Sequence, residues 1–176
     1  MVAETEKDIK FSPEAMALVQ KYKAKFPEGK HKSALLSVLH LAQVEFGGWL
    51  SPKVMDHVAE VLDIKPIEVY EVATFYSMYF THPMGKYVFE VCHTGPCQIC
   101  GSDEVIEYLE NKLGIKEGQT TPDGMFSIKA VECLAACGGA PMMQVGLKYH
   151  ENLTHEKMDN IIDECRVENK VSRVSV

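Results

Sequence analysis

Through the first half of the chain apolar residues recur every three or four positions, and beyond the segment Thr81–Lys86 the period changes, with β-rich and alternating runs between helical ones. The first period predicts amphipathic helices and the β-rich runs predict strands. Ser12-Pro13-Glu14 offers an N-cap, a proline at the first helical position and an early acid; Leu18, Val19, Tyr22 and Phe26 follow at helical spacing until Pro27 and Gly29 stop the run. A second helix is expected from about Ser33, with Leu35, Leu36, Leu39, Ala42 and Phe46 on one stripe and Gly47-Gly48 at its end. Ser51-Pro52 repeats the start signal before Val54, Met55, Val58, Ala59 and Leu62, and Lys65-Pro66 opens a fourth helix carrying Val69, Tyr70, Ala73, Phe75 and Tyr76. Four short helices joined by brief turns predict a four-helix bundle over residues 1–82.

Pro83 and Gly85 break that pattern, and a second domain is expected over residues 83–176. Tyr87–Val91 reads as a strand that runs straight into Cys92. Ser102 or Asp103 is the expected cap of a helix through Val105, Ile106, Leu109 and Leu113, which stops at Gly114. Thr121-Pro122-Asp123-Gly124 is a turn, Phe126–Glu132 a strand running into Cys133, and Met142–Val145 and Leu147–His150 two further short strands. Thr154 caps a last helix with Met158, Ile161, Ile162 and Cys165 on its apolar side. The order of elements predicts an α+β chain whose second domain is a small α/β sandwich of thioredoxin-like type.

Composition narrows the chemistry. With 46% hydrophobic and 24% charged residues in 176, the chain has the make-up of a folded protein. Its formal charge of −7 argues against wholesale phosphate binding, and so against a nucleic-acid partner. The start, MVAETEKDIK, has neither the basic and apolar regions of a signal peptide nor the arginines of a transit peptide. No apolar run approaches the roughly 20 residues that span a bilayer, so direct membrane insertion is not expected. The expectation is a soluble protein in a reducing compartment, where clustered cysteines point to metal or redox chemistry rather than to disulfides.

The six cysteines all lie in the second half, as Cys92, Cys97, Cys100, Cys133, Cys137 and Cys165. Cys92 and Cys97 follow one predicted strand, and Cys133 and Cys137 follow the next. If the two strands are neighbours, four thiolates emerge at one edge. Soft thiolates suit zinc or an iron–sulfur cluster. C-x4-C followed by C-x3-C fits zinc loosely, and the wider spacing favours a [2Fe–2S] unit in which each iron takes two protein sulfurs. Gly95, Gly101, Gly138, Gly139, Ala135 and Ala136 are small, so backbone N–H groups can approach the sulfurs. Cys100 leaves two alternatives open. Cys92, Cys97 and Cys100 spell the C-x4-C-x2-C of plant-type ferredoxins, and Cys97-Gln98-Ile99-Cys100 is a C-x-x-C placed like a thioredoxin redox pair, with Ala140-Pro141 as a candidate cis-proline. A dithiol oxidoreductase would use Cys97 as nucleophile and Cys100 as resolving thiol, but leaves Cys133 and Cys137 without a role. The simpler reading of Cys100 is a small buried residue at a helix start.

With these positions in place, the sequence resembles the 24 kDa-type thioredoxin-like [2Fe–2S] subunits of respiratory complex I. The resemblance runs along nearly the whole chain: Pro27–Gly29, LAQVEFGGWLS, VYEVATFYSMY from Val69 to Tyr79, GKYVFEVC, TGPC, GSDEVIEYLENKLGI, ECLAACGGAPMMQV and HENLT. It implies a thioredoxin-like [2Fe–2S] ferredoxin domain with cluster ligands Cys92, Cys97, Cys133 and Cys137. Cys100 falls outside that ligand pattern. The implied role is electron transfer in the NADH-oxidising module of NADH:quinone oxidoreductase. FMN and NADH would be bound by a partner, the 51 kDa-type flavoprotein subunit, with other peripheral-arm subunits beyond it. The chain has no G-x-G-x-x-G fingerprint and is not expected to bind NADH itself. A cytoplasmic location is implied, peripheral on the inner face of a bacterial membrane, or on the matrix side for a processed eukaryotic chain. Diaphorase modules of NAD-reducing hydrogenases and formate dehydrogenases use similar subunits and are the nearest alternative. An acidic chain with few cations near the cluster is expected to hold it at low potential.

Other residues have plainer readings. Phe75, Tyr76, Met78, Tyr79 and Phe80 suggest a docking surface, although at least half of such a run is expected to be core. Trp49 is expected to pack a turn, His93 to be a solvated loop residue, Glu107, Glu110 and Lys112 to form a solvated helix face, and Cys165 to be core.

Overall fold

The computed structural model describes residues 9–167; residues 1–8, which hold most of the acidic start, and residues 168–176 lie outside the described part. The chain divides into two compact units between Pro83 and Met84.

The first unit contains α1 (Pro13–Lys23), α2 (Leu35–Glu45), α3 (Pro52–Leu62) and α4 (Pro66–Phe75). The start signals act as the sequence predicts. Ser12 Oγ accepts the Ala15 amide at 3.2 Å and Ser51 Oγ the Val54 amide at 3.3 Å, each satisfying a donor that the first helical turn leaves free. At α4 the Lys65 amide instead donates to Glu68 Oε2 at 3.0 Å. Val19, Val38, Leu39, Ala42, Val58, Leu62 and Val69 fill one apolar core. α1 ends at Lys23, short of Phe26, which is exposed, and a 3-10 turn over His31–Ala34 delays α2 to Leu35. Trp49 is half-buried.

The aromatic run departs from expectation. Only Tyr79 is fully in the core, with its hydroxyl donating to the Leu36 carbonyl at 2.8 Å, whereas Phe75 is 80% exposed and Tyr76 and Met78 are exposed as well. Helical spacing stops having meaning there, because α4 ends at Phe75 and Tyr76 is extended (φ −89°, ψ 124°). Buried Gln43 ties down the segment beyond: its Nε2 donates to the Met78 carbonyl at 3.1 Å and its Oε1 accepts the Phe80 amide at 2.7 Å.

The second unit is a four-stranded sheet in the order β2-β1-β3-β4, with β1 (Tyr87–Cys92), β2 (Phe126–Val131), β3 (Met143–Val145) and β4 (Lys148–His150). β1 and β2 run parallel with Cys92 opposite Val131, while β3 runs antiparallel to both β1 and β4. A parallel pair needs a crossover, and α6 (Ser102–Leu113) supplies it. Alternate strand residues Tyr87, Phe89, Val91, Phe126, Ile128, Met143 and Val145 pack against Val105 and Leu109 of α6. They also pack against Met158, Ile161, Ile162 and Cys165 of α7 (His155–Val167), so Cys165 is core.

Thr154 caps α7, accepting the Lys157 amide at 3.2 Å, and Gly114 ends α6 in the left-handed conformation (φ 69°). The expected cap of α6 is displaced. Gly101 (φ 95°) holds the N-cap position with no side-chain bond, Ser102 is the first helical residue and is buried, and Asp103 is engaged by His93. Glu110 is more enclosed than a solvated face requires, since it accepts Lys116 Nζ at 2.7 Å and the Glu117 amide at 2.8 Å. No helix among the described residues is long and apolar enough to cross a membrane.

Gly85 leads into β1 where the backbone of β2 is very close. A Cβ at Gly85 would sit 2.6 Å from the Phe126 carbonyl carbon, and the Gly85 amide donates to Ser127 Oγ at 2.7 Å. Neither backbone yields easily, so Gly85→Ala is expected to cost about 1–3 kcal/mol, the range for overpacking. Urea unfolding followed by circular dichroism checks this, and an unchanged midpoint would contradict the close approach.

Candidate metal centre

The site is assembled by the parallel pairing of β1 and β2. The loops after the two strands leave the same end of the sheet. Cys92 closes β1, and Cys97 lies on α5, a single turn over Pro96–Ile99. Cys133 follows β2, and Cys137 opens a 3-10 turn over Cys137–Gly139. β3 is entered through a cis Ala140-Pro141 bond, as its position suggests, and buried Met142 packs against Cys92 and Cys97. The Cys92 amide donates to the Met142 carbonyl at 3.1 Å, and the His93 amide to the Val131 carbonyl at 3.0 Å.

All six cysteines are free. The thiols of Cys92 and Cys97 are hydrogen-bonded to each other, and so are those of Cys133 and Cys137. Charge on Cys92 reaches Cys137, and charge on Cys137 reaches Cys97. Among the described residues no three His, Cys, Asp or Glu side chains close on a single metal ion. Two sulfur pairs side by side suit two metals with two sulfurs each better than one tetrahedral zinc. The donor set thus fits a [2Fe–2S] cluster.

Backbone N–H groups aim at the sulfurs. Burial pushes the Cys92 thiol up, but the amides of Thr94 and Leu134 and the Cys97 thiol bond to it and hold it below the usual thiol range, against the nearby Glu132 carboxylate. Burial, together with its bond to Cys92, raises Cys97 to about 11, with the Met142 amide opposing. Cys137 is raised by its bond to Cys133. The Ala135 amide donates to Cys133 Sγ at 3.4 Å.

Three side-chain bonds fix the loops. Thr94 Oγ1 donates to Glu132 Oε2 at 2.9 Å and so joins the loop of the first pair to that of the second. His93 Nε2 lies 2.7 Å from Asp103 Oδ1, tying the end of β1 to the first turn of α6. Tyr149 Oη of β4 donates to the Leu134 carbonyl at 2.9 Å. Sequence reasoning missed Thr94, Glu132, Met142 and Tyr149. The first two are polar residues beside cysteines, a signal open to use; nothing marks Tyr149.

Cys100 is exposed, contrary to the expectation of a buried residue. α5 ends after one turn, and Cys100 sits at its C-terminal cap (φ −90°, ψ 8°), facing a groove shared with Pro141 and His155. A thioredoxin-type pair needs an accessible, acidified nucleophile. Cys97 is the reverse, 1% exposed with its thiol raised.

A sheet with helices packed on it, cis-proline before a strand and paired thiols beyond neighbouring strands define a thioredoxin-like iron–sulfur domain. The thioredoxin-like [2Fe–2S] ferredoxin family matches residues 19–166, and the chain belongs to that family. A relative from Rickettsia felis, one of the subunits of its NADH-quinone oxidoreductase, is 43% identical over 154 residues, covering 88% of this chain and 92% of the relative. The mitochondrial NADH dehydrogenase [ubiquinone] flavoprotein 2 of Dictyostelium discoideum is 41% identical over 164 residues, covering 93% of this chain and 66% of the relative. Among solved structures, NAD+-reducing [NiFe]-hydrogenase in its H2-reduced state aligns at a TM-score of 0.66 and 19% identity. That alignment covers 80% of this chain and 23% of the hydrogenase chain, so the present chain spans about a quarter of it, and the likeness is one of fold.

Proposed function

We propose that the chain is the electron-transfer subunit of the NADH-oxidising module of NADH:quinone oxidoreductase and carries one [2Fe–2S] cluster. Cys92, Cys97, Cys133 and Cys137 would hold it, two sulfurs to each iron. The observation that carries this reading is the meeting of the two thiol pairs at one end of the β1–β2 ladder. When bound, the cluster takes up and passes on one electron at a time. The chain's own residues hold the sulfurs in place, supply N–H donors to them and shield one side with Met142. Cys92 and Cys97 are buried, whereas Cys133 and Cys137 are exposed and form the side turned toward the partner. Glu132 and the acidic balance of the chain disfavour added electrons, which keeps the potential low.

The partner is a flavoprotein of the 51 kDa type that binds FMN and NADH, with further peripheral-arm subunits beyond it. The helical unit is a four-helix bundle that docks there, offering exposed Phe75, Tyr76 and Met78 as its apolar contact. The assembled complex places the chain on the inner face of a bacterial membrane, or on the matrix side in a mitochondrion.

Anaerobically purified protein is expected to contain about two irons and two acid-labile sulfides per chain and to give an EPR signal on reduction. Zinc without iron would overturn the reading. Tagged chain isolated from its own cells is expected to bring down a flavoprotein together with quinone-reducing subunits; hydrogenase or formate dehydrogenase subunits in their place would change the parent complex.

A further inference from the structure

Tyr149 lies on the edge strand β4, and although the residue is 47% exposed its hydroxyl is fixed on the Leu134 carbonyl at 2.9 Å. The Leu134 carbonyl and the Ala135 amide belong to one peptide unit, and that amide donates to Cys133 Sγ at 3.4 Å. Tyr149 hydroxyl, peptide and sulfur therefore form a chain of two hydrogen bonds. Ala135 itself is in the left-handed conformation (φ 60°), where a non-glycine residue is uncommon, so the chain turns sharply just after the peptide that bonds the sulfur.

Hydrogen bonds in series polarise one another. A hydroxyl donating to the carbonyl makes the same peptide's N–H a stronger donor. An N–H bond to a ligand sulfur stabilises negative charge there, and one-electron reduction adds negative charge to the cluster and its thiolates. We infer that Tyr149 is a positioning residue that raises the reduction potential of the cluster by polarising the Leu134–Ala135 peptide against Cys133. It opposes the lowering effect of Glu132 without touching the cluster. The inference rests on the ligand assignment proposed above.

The test is a potentiometric EPR titration of cluster-loaded full chain in three forms: native, Tyr149→Phe, and with 3-fluorotyrosine at position 149, at a pH that keeps the phenol protonated. Tyr149→Phe is expected to lower the reduced-to-oxidised ratio at a fixed potential roughly threefold, about 30 mV downward at 59 mV per tenfold for one electron. Fluorotyrosine keeps the shape and strengthens the donor, so its midpoint is expected to rise. Equal midpoints at full iron content, or shifts of the opposite sign, overturn the inference and leave the ligand assignment standing. Should Tyr149→Phe lose its cluster, the fluorotyrosine chain decides alone. Native chain without iron would overturn the ligand assignment and this inference together.

Discussion

Cys97→Ser is expected to yield a chain that cannot hold its cluster, with iron falling from about two atoms per chain to none and the visible absorption lost with it. The Cys97 sulfur is enclosed by Cys92 and Met142, and a serine oxygen there is a harder, poorer ligand for iron. Cys100 cannot replace it easily, since it is exposed at the far end of the α5 turn. Cys100→Ser is accordingly expected to keep its full iron content. Iron and sulfide analysis of the two variants, with EPR of each, reads the difference directly. Loss of iron from Cys100→Ser as well as from Cys97→Ser would move the ligand set to the plant-type pattern.

Phe89→Ala is expected to be the most destabilising single change in the second unit, by about 3–5 kcal/mol, the range for deleting a buried aromatic side chain. Phe89 is fully buried on the central strand, opposite Ile128 of β2 and Val145 of β3, and its ring centre lies 5.4 Å from that of Phe126. A loss of this size is a large fraction of the roughly 5–15 kcal/mol that folded domains possess. Urea unfolding of native and variant chains gives the value, and a difference below about 1 kcal/mol would show that the site collapses around the missing ring more fully than such cores do.

The elements were readable where local chemistry dictates them. Ser12, Ser51, Thr154 and Gly114 mark helix ends through bonds and conformations that need only near neighbours, and the β-rich run Tyr87–Val91 reflects a strand inside the sheet, buried on both faces except at Glu90. Errors fall where a period stops. Phe75 and Cys100 sit at the ends of helices, and neither spacing nor the usual burial of free cysteine says which way such a residue turns. The thiol-bearing loops stood out because cysteine is rare and chemically specific. Among the donors around them only Ala135 was marked in advance, by its small size; any residue's amide can serve, and Thr94, Leu134 and Met142 contribute N–H groups that leave no trace in residue type. The hairpin that sets β4 beside β3 is local and expected, but the bond from Tyr149 back to Leu134, on the loop after β2, is a tertiary fact that its sequence neighbours do not encode.

Because Cys92 stands opposite Val131 across a parallel ladder, the gap between the two thiol pairs is measured in strand-to-strand hydrogen bonds rather than in residues along the chain. A cluster held by both pairs, as proposed, would act as a removable cross-link over that ladder. Loading it should delay melting of the sheet, and melting the sheet should release it, so that cofactor loss and unfolding of the second unit become one event.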